Sequence, residues 1–159
     1  MSLTCIATTS GDTHLPPPKP AVINWFFGPR PPVTDVASYV TQAMEIFRIY
    51  NPGCDQHEQA AATARAEAAY LRAYHPAGGQ RQLLAIIAAT PRGALLRQLQ
   101  IPSLVIQGDC DPFVSTEHGE FLAQCLQGST LVTLENVGHG LPIKICGRVV
   151  EMLTERFRS

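Results

Sequence analysis

Two side chains set the chemical question. His139 lies between glycines in "NVGHGLP", and Asp111 lies 28 residues earlier in "QGDCDPF". A carboxylate that accepts from the imidazole Nδ1–H fixes the ring and stabilises the imidazolium, leaving Nε2 to take a proton from a nucleophile. Such a couple suits acyl transfer. The flanking glycines let the ring project from a strand end without a bulky neighbour on either side.

The third member of the chemistry is missing from these residues. None of the seven serines, at positions 2, 10, 38, 103, 115, 129 and 159, has glycine at both minus two and plus two, so the strand–turn–helix signature of a nucleophilic serine does not occur. Cys54 in "PGCDQ" and Cys110 beside Asp111 are the thiols to consider. Nothing basic lies near Cys110 in sequence to generate a thiolate, and Cys54 falls in a linker before a helix, so neither is expected to substitute. Asp109 rivals Asp111 as the acid and reads as a loop carboxylate. His14, His57, His75 and His118 lack metal-ligand spacing and read as surface or capping residues.

The elements that must position the pair follow from periodicity. "PSLVIQG" is a continuous apolar run of the buried parallel type, "TEHGEFLAQCL" a helix, "STLVTLEN" a second strand and "PIKICGRVVEMLTERF" an amphipathic helix. This β–α–β–α order predicts parallel strands flanked by helices, with Asp111 and His139 together at their carboxyl edge, where α/β folds bind ligands. Ahead of it, residues 2–9 form a short strand, and "LPPPKP" and "FFGPRPP" bracket a short helix over 21–27. Thr34 is the expected N-cap of a helix to about residue 50, a second helix runs over about 55–74 with "HPAGG" ending it, and "QRQLLAIIAAT" is a third, broken at Pro91 before a last turn. Trp25, Phe26 and Phe27 with Met44 and Phe47 are the expected apolar centre of this helical segment.

Composition narrows the partners. A net charge of −1, from 12 Lys+Arg against 13 Asp+Glu, provides no basic field for nucleic acid and no polybasic segment for a membrane. The 45% hydrophobic content supports one packed core. Five cysteines without a C-x-x-C pair point to reduced thiols in a cytosolic setting, and no secretory leader or long apolar span is read in the chain.

"IPSLVIQGDCDPFVS" followed by "TLENVGHGLP" resembles the C-terminal half of α/β-hydrolase-fold esterases, and "SLTCIATTSGDTHLPPP" with "YHPAGGQRQLLAIIAA" resembles the post-nucleophile strand and cap of the aclacinomycin methylesterase-like branch. In that family the pattern G-x-x-D-x-x-x-P falls on Gly108 and Asp111, with Ser115 in place of proline. The G-H-D-L-P pattern falls on Gly138-His139-Gly140-Leu141-Pro142, with Gly140 in place of aspartate. The resemblance implies a truncated α/β-hydrolase fold: about three parallel strands flanked by helices, residues 1–12 and 100–159 forming a partial core, and residues 13–99 forming a helical cap or lid.

It also implies a portion of a serine esterase with Asp111 and His139 as catalytic acid and base, no cofactor and no metal, inactive alone, and acting on a small apolar ester once an N-terminal half is supplied. The unpaired edge of the strand near residues 2–9 is expected to promote self-association, with one face of the sheet stripped of its helices. A non-catalytic binding protein that uses the cap cavity or the sheet edge, and one half of a split hydrolase, remain alternatives.

Overall fold

The computed structural model describes residues 1–157. Its centre is a parallel sheet of β1 (Leu3–Ile6), β2 (Ser103–Gly108) and β3 (Thr130–Leu134), in that spatial order. Every residue of β2 is buried, as its unbroken apolar run requires of a central strand. Ile106 is level with Ile6 on one side and Val132 on the other.

Alternation along the strands divides the core into two faces. Val105 points with Leu3, Cys5 and Leu131 toward Leu122, in the last turn of α6 (Thr116–Cys125), and Leu126 just beyond it. Leu104, Ile106 and Leu134 point the other way, against Ile145, Val149, Met152 and Leu153 of α7 (Ile143–Phe157). Each fully buried aliphatic side chain contributes roughly 1.5–3 kcal/mol. Both faces are therefore covered, which corrects the expectation of one bare face: the helix following β2 serves one side and the helix following β3 serves the other.

Between β1 and β2 run α1 (Pro20–Phe27), α2 (Val36–Tyr50), α3 (Gln56–Ala73), α4 (Pro76–Ile87) and α5 (Gly93–Leu96). α2 lies against α3, burying Met44 and Ala62, with Tyr39, Tyr70 and Tyr74 clustered at ring separations of 5.0–5.6 Å.

Several local expectations shift. Asp35, not Thr34, caps α2: its carboxylate accepts from the Ser38 amide at 2.8 Å while Ser38 Oγ accepts from the Asp35 amide at 3.1 Å, a reciprocal pair that threonine one residue earlier cannot make. "PAGG" lies inside α4 rather than ending α3, because Pro76 suits the first helical turn, where its missing N–H has no partner to lose. β1 stops at Ile6, where Ala7 turns to φ 43° and carries the chain off the sheet. Phe27 stays exposed, and Val22 is the residue α1 buries.

Candidate active site

β2 ends at Gly108, and a tight loop then presents Asp111 at the carboxyl edge of the sheet. Asp111 is buried and its carboxylate collects four donors. Oδ1 accepts from the amides of Phe113 and Val114, each at 2.8 Å, and Oδ2 accepts from Gln107 Nε2 at 3.2 Å and His139 Nδ1 at 2.9 Å. The amides hold the loop in a closed turn without the proline that Ser115 replaces, and Ser115 stands as the N-cap position of α6.

His139 follows β3 through residues 135–138. Its side chain is 24% exposed while the Asp111 side chain is fully enclosed. A carboxylate only accepts, so Nδ1 carries the proton of that bond, and Nε2 has no hydrogen-bond partner among the described residues. The rings of Tyr50 and Phe113 meet the imidazole edge-on at centroid distances of 4.9 and 5.0 Å, and Phe26 of α1 continues the aromatic wall at 5.9 Å from Phe113. Burial, reinforced by the charge of Asp111, pushes the Tyr50 hydroxyl up to about 12. Tyr50 is therefore a neutral wall at physiological pH and no rival base.

The sequence-predicted pair thus meets, with geometry that fits an orienting acid and a general base. The rival groups do not join it. Asp109 is exposed, and its carboxylate beside Cys110, chiefly by favouring the protonated thiol, raises that thiol above its usual range, with burial adding to the effect and the charge of Lys19 opposing it. Cys54 lines a cavity of about 280 Å³ on the Tyr50–Glu58 side of the histidine loop, together with Arg65 and Lys144. His14, His57 and His75 are exposed. His118 is a correction: it is buried in α6, where Nε2 donates to the Pro16 carbonyl at 2.9 Å and Nδ1 accepts from Thr9 Oγ at 2.8 Å, pinning the loop after β1. Among the described residues no cluster of three or more histidines, cysteines and carboxylates is gathered as a metal site, and no helix is long and apolar enough to cross a membrane.

Residues that the sequence did not single out complete the surroundings. Gln107 is buried at the end of an otherwise apolar strand, and a lone amide in "SLVIQG" was the available signal. One backbone and two side-chain acceptors of the α2–α3 corner reach amides of the histidine loop. The Tyr50 carbonyl accepts from the His139 amide at 2.8 Å, Asn51 Oδ1 accepts from the Gly140 amide at 3.1 Å, and Glu58 Oε1 accepts from the Ile143 amide at 2.6 Å. Side chains at 138 and 140 would obstruct this approach, since a Cβ would overlap the Tyr50 carbonyl at Gly138 and crowd Asn51 at Gly140. Asn51 occupies the space beside the position where the family pattern carries aspartate.

The sequence profile of the TAP-like protein family matches residues 58–154. Rhodomycin D methylesterase DauP of Streptomyces sp. (strain C5) and rhodomycin D methylesterase DnrP of Streptomyces peucetius are each 41% identical over 54 residues, a stretch that covers 34% of this chain and 18% of the relative. Among solved structures, the enol-lactonase from Burkholderia xenovorans LB400 superposes with a TM-score of 0.68 at 13% identity, over 99% of this chain and 56% of that one. The esterase RhEst1 from Rhodococcus sp. ECU1013 gives 0.65 at 17% identity, over 99% and 56%. The chain spans about half the length of these structures.

Proposed function

From membership of the TAP-like protein family, to which this chain belongs, we propose that it carries the acid and base of a serine-esterase-type active site whose nucleophile is supplied by residues outside these 159. The fold is that of the α/β-hydrolases and the family relationship is esterase-like. The single observation that carries the finer reading is the 2.9 Å bond from His139 Nδ1 to Asp111 Oδ2, with Nε2 free.

In this reading a serine hydroxyl brought to Nε2 loses its proton as it attacks an ester carbonyl. Asp111 holds the ring and stabilises the imidazolium, and His139 then returns the proton to the departing alcohol. A water molecule enters by the same path to release the acid. The helices over residues 13–99 act as the cap. Phe26, Phe113 and Tyr50 form an apolar wall beside the base, which suits an ester with an apolar acyl group. The likeness to rhodomycin D methylesterases supports a carboxylic ester as the substrate class.

The reading predicts that the isolated chain hydrolyses p-nitrophenyl acetate no faster than its His139→Ala variant, because acid and base without nucleophile and oxyanion donors cannot carry acylation. A rate in the isolated chain that disappears in His139→Ala would overturn it.

A further inference from the structure

We infer that the α2–α3 corner, through Asn51 and Glu58, is the positioning element that sets the orientation of His139. This rests on the reading of His139 as the base and adds to it the residues that hold that base in place.

The corner and the loop complete each other's backbone. Tyr50 ends α2, so its carbonyl has no partner within the helix, and it takes the His139 amide instead. Ile143 begins α7, so its amide is likewise unpaired within that helix, and it goes to Glu58. Asn51 lies between the two on Gly140, held by its own Nδ2 bond to the Phe47 carbonyl at 2.8 Å. Residues 139, 140 and 143 are thus held from one side by one corner, while Asp111 holds the ring from the other.

Glu58 is the clearest sign of a placed group. It is 5% exposed, and a buried carboxylate is costly unless its acceptors are used. Its bond to Ile143 is made across 85 residues. Its own position is set by Asp55, the N-cap of α3, whose carboxylate accepts the Glu58 amide at 2.9 Å. The chain of contacts runs from the start of α3 through Glu58 to the start of α7. A displacement of the α2–α3 corner therefore displaces the base.

The test uses the whole chain uniformly labelled with ¹⁵N, read for the tautomer of His139 and for amide hydrogen exchange at 139, 140 and 143. In the wild type, His139 is expected in the Nδ1–H form dictated by Asp111. Asn51→Ala and Glu58→Ala are each expected to shift the ring toward the Nε2–H form that free imidazole favours, and to speed exchange at those amides about tenfold. Glu58→Gln keeps the accepting oxygen and is expected to restore both readouts, which a general loss of stability would not do. Unchanged tautomer and exchange in both alanine variants would overturn the positioning role and leave the Asp111–His139 pair standing. A wild-type His139 already in the Nε2–H form would overturn both.

Discussion

Four donors on one buried carboxylate make Asp111 a structural residue as well as an orienting one. Asp111→Ala leaves two amides, the imidazole and one of the two Gln107 Nε2 protons without their acceptor, the other staying on the Val114 carbonyl at 2.6 Å, and is expected to lower the unfolding free energy by roughly 2–4 kcal/mol in urea titrations. A loss below about 0.5 kcal/mol, the ordinary effect of a surface change, would contradict the contact set. Cys110 gives a second test at this scale. Its thiol is raised by the neighbouring Asp109 carboxylate, so at pH 7.5 the thiolate fraction is small and alkylation by iodoacetamide is expected to be slower than at exposed Cys146. Peptide mass spectrometry showing Cys110 modified first would reopen it as a nucleophile.

Among the elements, β2, β3 and their following loops carry the pair, and the helical layer carries what surrounds it. The strand ends were readable because an apolar run followed by a turn has a local signature, and Asp111 and His139 each lie just past one. Asn51 and Glu58 were not, because they reach the histidine loop across 89 and 85 residues, and helical periodicity does not encode how one helix pair docks on a distant turn. The departure at Gly140 was visible in sequence, but its neighbour Asn51 was not. A Cβ there would lie 2.5 Å from Asn51 Oδ1. Gly140→Ala is therefore expected to cost about 1–3 kcal/mol, and distinctly less in an Asn51→Gly background, where that oxygen is gone. Strict additivity of the two changes in a double-mutant cycle would remove the steric account of the departure.

At the scale of the molecule, one edge of the sheet and one helix of the helical layer leave backbone groups and apolar side chains uncovered among the described residues. β1 pairs with β2 along one side and has no partner strand on the other among the described residues, and α4 leaves Leu84, Ile86 and Ile87 more than half exposed. We propose that the isolated chain self-associates at tens of micromolar, where unpaired edges commonly drive association. Thr4→Lys, which places a charge on the open strand, is expected to lower the sedimenting mass, and a compact monomer of the unmodified chain would contradict the proposal. We propose that a segment bringing the G-x-S-x-G serine of the proposed function docks along this same open edge. Labelling with a fluorophosphonate probe, alone and mixed with the N-terminal portion of a methylesterase relative, tests the division of the active site most directly. The account predicts no label on this chain by itself, and in the mixture a label on the serine of the added segment that slows about a thousandfold or more when His139 is replaced by alanine. A label on this chain, or a labelling rate in the mixture indifferent to His139→Ala, would contradict it.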